Sequence, residues 1–393
     1  LYKTAINYIG GGSGASAAGT FGAPQFWLLA IVTGMELISS LGLVCIFIAI
    51  LRMMSRKATS AGVYASRGTL SQVCDKIADE VMQMLHKDFA GKIEVTGVFA
   101  RPQSEEKARE LCKRTGHPDA VVYTDYEQML QECPADMVYI ANANHVHYQY
   151  ALRALETKHH TIVEKPITTS RVEIEMLYDA AIQWGVFCLP AFSLLYMPLY
   201  EKIYEILPQL GPVHMVQANY AQYSSRYDRY LKGDIAPVFD PEQAGGALMD
   251  LNIYNLCFVI GLFGQPRTMH YLANRGYNGV DVSGTLALHY PGFVATLSAA
   301  KDCDGHNFGC IQGEKGYIEI EGSVSVMARM KLCLRGQEPV VYEAEAGRHR
   351  LSYEFEQFRR IIDNPGECRI NIPLVSRVAQ IISMSLERMN ALT

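Results

Sequence analysis

The chain has 393 residues, 49% of them hydrophobic and 19% charged, with a formal net charge of -5. That length supplies more than one hydrophobic core, and an acid excess without any basic run interleaved by aromatics excludes a broad nucleic-acid surface. Ten cysteines lie singly, with no C-x-x-C pair and no Cys/His cluster at metal-ligand spacing, so buried, reduced thiols in a reducing compartment are expected, and no metal.

Residues 1–25 are rich in Gly, Ala and Ser and read as a flexible lead-in. Within them, Gly10-Gly11-Gly12-Ser13-Gly14-Ala15 matches a G-x-G-x-x-A turn after the strand-like Thr4 to Ile9. A pyrophosphate-binding turn requires its second strand within a unit of about 30 residues. Instead the run from Phe26 to Leu51 comes next, apolar except for Glu36, and the glycines are assigned to a linker. This run is long enough to cross a bilayer. Arg52, Arg56 and Lys57 come directly after it and only Lys3 comes before, which would place the rest of the chain in the cytoplasm, tethered by residues 26–51. The competing reading is a buried helix or a segment foreign to the enzyme-like remainder of the chain, as Glu36 near its middle suggests. Residues 1–59 are therefore treated as an extension.

From residue 60 strands and helices alternate. Ala61 to Ala65 is a strand, Ser66 to Ser71 a tight turn, and about Gln72 to Leu85 a helix. In that turn Ser66, Gly68, Thr69 and Leu70 are expected to meet a pyrophosphate, Gly68 allowing close backbone approach. The next strand, Ile93 to Ala100, comes at βαβ spacing and puts Arg101 where an acid would grip the ribose of NAD; an Arg there favours the 2′-phosphate of NADP. The alternative is an ordinary solvated Arg. Helix 105–115, strand 121–123, helix 125–130 and strand 137–140 come after it, the last ending at Asn142, Asn144 and His147 before a helix to Leu155. Strand and helix taking turns over short links define a doubly wound parallel sheet, with residues 60–190 as the first domain.

Thr161-Ile162-Val163 is a strand of the buried, β-branched kind, stopped by Glu164-Lys165-Pro166 because Pro166 cannot join a ladder. Ligands collect beyond the carboxyl ends of such strands, which is where Lys165 stands. A plain surface lysine is the competing reading. After helix 172–184 and strand 186–189, the strands become longer and alternating: 213–223, 268–272, 282–290, 294–300, 309–312, 317–321, 331–334 and 340–343. They predict a large open, mostly antiparallel sheet in an α+β domain over residues 191–393. Gly245 to Leu256 reads as a helix that places Asp250 and Tyr254 on one face, and Pro373 to Met389 as an amphipathic tail helix able to pack back on the first domain.

Glu164-Lys165-Pro166, preceded by Asn144 and His147 and followed by Gly245-Gly246-Ala247-Leu248-Met249-Asp250 with Tyr254, resembles the glucose-fructose oxidoreductase, inositol dehydrogenase and rhizopine-catabolism (Gfo/Idh/MocA) family over about residues 60 to 393. The resemblance implies a Rossmann domain joined to an α/β domain with a large open sheet, NAD or NADP as cofactor, and a homodimer or homotetramer associated through that sheet. It implies Lys165 as the active-site lysine, Asp250 as partner of the lysine or the substrate, and Tyr254 as the proton-transfer residue. Asn142, Asn144, His147 and Glu164 would join Lys165 at the cofactor. Tyr at position 254 is similar to the branch with dihydrodiol, xylose and glucose-fructose oxidoreductases. Ser66 departs from the usual glycine, Asn252 stands where that branch has Gly, and Pro190 to Pro198 lacks the branch's Trp and Arg.

The expected activity is reversible hydride transfer between a nicotinamide and a secondary alcohol of a sugar, polyol or cyclic diol, a small-molecule substrate. Tyr254 would move the hydroxyl proton, with its pKa lowered by the Lys165 ammonium. A non-catalytic dinucleotide-binding sensor or scaffold is the rival from another class, and a bile-pigment or imine substrate is a third reading.

Overall fold

The structure, a computed structural model, describes residues 60–64, 71–364 and 372–391, which belong to one compact unit of the chain. The apolar run 26–51, the glycines at 10–14 and the turn residues Ser66, Gly68, Thr69 and Leu70 lie outside the described residues.

The first layer is a sheet of six parallel strands: β1 (Ser60–Tyr64), β2 (Glu94–Phe99), β3 (Val121–Tyr123), β4 (Met137–Ile140), β5 (His160–Glu164) and β6 (Cys188–Ala191). Their order is β3-β2-β1-β4-β5-β6, the Rossmann arrangement, and strand order reverses between β1 and β4. Helices α1 (Ser71–Asp88), α2 (Glu105–Arg114), α3 (Tyr126–Glu132), α4 (His147–Glu156) and α5 (Arg171–Trp184) link the strands. Strand periodicity splits their side chains between two cores. Val138, Ile140 and Val163 pack with α3, α4 and α5, while Met137, Tyr139 and Ile162 pack with α1 and α2 on the other face.

Helix α6 (Pro198–Ile206) leads into the second sheet. Its strands are β7 (Val213–Ala221), β8 (Thr268–Arg275), β9 (Asp281–Tyr290), β10 (Phe293–Ala300), β11 (Phe308–Gly313), β12 (Gly316–Glu321), β13 (Arg329–Leu334) and β14 (Val340–Glu343). The order is β14-β13-β12-β11-β7-β10-β9-β8, and among the described strands only the interior pair β7 and β10 runs parallel. One face carries Val216, Ala218, Leu286, Leu297 and Ile318 into a core with α6, α7 (Ile253–Phe263) and the tail helix. The other face leaves Met215, Val294 and Tyr317 exposed.

Some elements depart from the sequence expectation, α6 among them, which was not expected. The stretch expected as one helix from Gly245 is instead a π-helical turn, Leu248–Asn252, running into α7. Helix α8 (Arg350–Asp363), absent from the elements expected of the sequence, packs back on the first sheet, setting Leu351, Phe355, Phe358 and Ile361 beside Val81, Leu85 and Tyr139. The tail helix, α9 (Ile372–Ala391), lies against α7, β8 and α5, with Val375, Val378 and Ile382 buried.

Candidate active site

Between the carboxyl ends of the first sheet and the inner end of the second lies a cavity of about 500 Å3. Asn142, Asn144, His147, Glu164, Lys165, Asp250 and Tyr254 all line it. Residues scattered over more than a hundred positions are thereby brought together. Arg101 is not in that lining. It is half-buried just past β2, two strands beyond β4, at the start of a short turn.

Lys165 follows directly on β5, and the peptide bond to Pro166 is cis. Its Nζ donates to Asp250 Oδ1 at 3.1 Å and to the Asp250 carbonyl at 3.0 Å, and it lies 4.9 Å from the centroid of the Tyr254 ring. Behind it, Glu164 accepts from the Lys165 amide at 3.1 Å and from the Tyr139 hydroxyl. Burial would push the Lys165 ammonium down, but Tyr254, Asp250 and Glu164 outweigh it and the net direction is up. Burial opposes charge on Asp250 too, yet Lys301 and Lys165 hold the carboxyl well below its ordinary value. Both groups are therefore ionised at neutral pH.

Tyr254 differs from expectation. Burial raises its phenol above the ordinary value, and Lys165 and Arg350 only reduce the rise. The Lys165 ammonium does lie beside the ring; its effect is smaller than the loss of solvation. The phenol is thus protonated at neutral pH.

The Gly245-Gly246 pair shapes the entry to the π-helical turn. Gly246 has φ +117°, and a Cβ there would sit 2.0 Å from Asp281 Oδ1; one on Gly245 would sit 2.4 Å from the Pro237 carbonyl. Asp281 accepts from the Leu248 amide at 2.7 Å and the Tyr271 hydroxyl at 2.6 Å, fixing the start of the turn that presents Asp250. Asn252 donates to the Leu297 carbonyl at 2.9 Å and accepts from Asn255, tying the turn to β10.

On the first sheet's side, His147 is buried with Nδ1 2.7 Å from the Pro166 carbonyl and Nε2 3.1 Å from that of Asn142. Burial lowers its pKa, and the ring is committed to the main chain, bracing the end of β4 against the Lys165 turn. Asn144 donates to the Ala244 carbonyl at 3.2 Å, joining the β4 end to the glycine pair. Asn142 is 4% exposed, and neither atom of its amide has a hydrogen-bond partner among the described residues. A buried amide is not left so without cost; beside the β1/β4 reversal it faces the space where a dinucleotide binds in this fold.

Lys301, Arg350 and Tyr220 are among the lining residues not expected from the sequence. Lys301, just past β10, pairs with Asp250 Oδ2. Arg350, the first residue of α8, donates to Ser193 Oγ at 3.0 Å and sits 3.5 Å from Glu80. Tyr220 of β7 lies 6.2 Å from Tyr254, ring to ring. A buried-looking strand ending in a lysine was a signal for Lys301, the same one that marked Lys165.

Residues 74–192 match the model of an oxidoreductase family with an NAD-binding Rossmann fold (GFO_IDH_MocA), and residues 208–319 match a GFO/IDH/MocA C-terminal domain. The NADP-dependent scyllo-inositol 2-dehydrogenase of Bacillus subtilis is 33% identical over 228 residues, 58% of this chain and 68% of that protein. A trans-1,2-dihydrobenzene-1,2-diol dehydrogenase of Xenopus tropicalis is 28% identical over 303 residues, 73% of this chain and 86% of that one. Among solved structures, a 3-ketoreductase from Actinomadura kijaniata in complex with NADP shares the fold with a TM-score of 0.69, at 19% identity, over 83% of this chain and 96% of the other.

Proposed function

The chain belongs to the GFO/IDH/MocA oxidoreductase family, and on that premise we propose that it interconverts a secondary alcohol of a cyclic polyol or diol and the corresponding ketone with NADP. The observation that carries the reading is the meeting of Lys165, Asp250 and Tyr254 in one cavity. When bound, the dinucleotide supplies the hydride. The residues present suit it: the unpartnered Asn142 amide faces the strand-order reversal, and Arg101 past β2 supports NADP over NAD.

The chain's own groups handle the proton. In ketone reduction the Tyr254 hydroxyl donates to the carbonyl oxygen, and the Lys165 ammonium beside its ring stabilises the phenolate left behind. Asp250 holds that ammonium through two hydrogen bonds. Lys165→Ala should lower turnover by on the order of 10²–10⁴-fold while NADPH binding, monitored by nucleotide fluorescence, is retained. Unchanged turnover in that variant removes the reading.

The relatives' names indicate cyclic polyols and diols as the substrate panel to test first. The open face of the second sheet is the proposed contact between copies of the chain: Val294 pairs in register with Met215, Met215 with Gln312, and Gln312 with Tyr317, which lays exposed apolar side chains over adjacent strands.

A further inference from the structure

Asp250 has two ammonium partners. Lys165 Nζ takes Oδ1 and Lys301 Nζ takes Oδ2, so both carboxylate oxygens are occupied. Lys301 is 4% exposed and its Nζ lies 5.4 Å from the Phe239 ring centroid. Its backbone is pinned as well: its amide donates to the Val282 carbonyl at 2.8 Å, and its carbonyl accepts from the Ser224 amide at 2.9 Å. The carboxylate it holds sits in a π-helical turn, a local widening that recurs at functional sites. In that turn the Asp250 carbonyl accepts from Lys165 Nζ.

A lysine stem is long and freely rotating, so Lys165 keeps its Nζ beside Tyr254 only as well as Asp250 is held. One contact would leave the carboxylate free to turn about its last bond. The second contact removes that freedom.

We propose, resting on the dehydrogenase reading, that Lys301 is a positioning residue for the proton-transfer site: it locks Asp250 so that Oδ1 and the Asp250 carbonyl seat the Lys165 ammonium beside Tyr254. It also keeps Asp250 from serving as an alternative proton acceptor. The other charged or titratable groups facing this cluster are Glu164 on β5, Tyr254 on the same helical segment, Arg350 on α8, and Asp281 on β9, which faces Lys301. Only Lys301 and Lys165 touch the Asp250 carboxylate among the described residues.

The test compares Lys301→Met, which keeps the stem and removes the charge, with Lys301→Arg, which keeps the charge. Ketone reduction is measured against pH, with NADPH affinity and thermal unfolding measured on the same samples. Lys301→Met should lower kcat by roughly 100-fold with little change in KM or NADPH affinity. Its acid limb, set by protonation of Asp250, should move upward by roughly 1–3 pH units, and Lys301→Arg should restore both. A limb that stays in place while kcat and unfolding temperature fall together overturns the proposal, as does wild-type kcat in Lys301→Met. Should Lys301→Met fail to fold, Lys301→Gln, which offers Asp250 an uncharged donor, reads the same limb.

Absence of turnover by the wild-type protein with every polyol and ketone would count against the dehydrogenase reading itself. The placement of Lys301 is then read without turnover, from the carbon-13 carboxyl titration of Asp250 in wild type and Lys301→Met. An unmoved titration refutes the lock.

Discussion

In the proposed mechanism Tyr254 sets the working pH of the site. Because burial holds its phenol protonated beyond the ordinary range, the donor form is present at neutral pH and is lost as pH rises past that elevated pKa. Ketone reduction should therefore stay level through neutral and mildly alkaline pH and decline only above the ordinary phenol range near 10. Alcohol oxidation, which needs the phenolate, should rise over the same range. Initial rates in both directions from pH 6 to 10.5 check this. A reduction rate that falls between pH 6 and 8 would mean another group gives the proton. The sequence marked Lys165, because a charged residue between a buried strand and a proline is locally conspicuous. It did not mark the pairing of Asp250 with Lys301, since those partners are 51 positions apart and the strand end before Lys301 does not say which side chain it will meet.

Among the elements, the π-helical turn and α8 do what a plain helix reading could not foresee. The spacing of Asp250 and Tyr254 suggested one helical face, and both do reach the cavity. Tertiary contacts from Asp281 to the Leu248 amide and from Asn252 to Leu297 accompany the wider turn. In α8 the apolar residues Leu351, Phe355, Phe358 and Ile362 have helical spacing, a signal the sequence reading passed over. Its docking was not legible, for nothing in that spacing says which sheet it will cover. Phe355 is buried against Tyr139 at 5.6 Å between ring centroids. Phe355→Ala should cost about 3–5 kcal/mol of stability, read by denaturant unfolding. Because α8 also carries Arg350, the same variant should lose activity before it unfolds globally. Full activity with that stability loss would separate the helix from the site.

For the molecule as a whole, the open sheet face is the feature that asks for a partner. Polar and apolar residues alternate along β7 and β10, but Met215 and Val294 sit exposed and adjacent where water-facing positions are ordinarily polar. Val294→Glu, placed in the proposed contact, should shift the protein toward monomer in light scattering at micromolar concentration, with the fold retained. An unchanged mass would remove that face from the assembly. The seven cysteines whose side chains are described are free thiols.

The sequence by itself determined the alternation of strands and helices, the change to longer alternating strands after residue 211, and the lysine at the end of β5. Those signals are carried by near neighbours, through hydrophobic period, turn residues and proline, and survive without knowledge of distant contacts. Only the tertiary structure decided that Asp250 is held by two lysines, that Tyr254 titrates high, that the Asn142 amide is left unpartnered, and that α8 closes the first sheet. Each of these depends on which side chains meet across long stretches of chain and on how much water they lose there, and burial is a property of the folded whole.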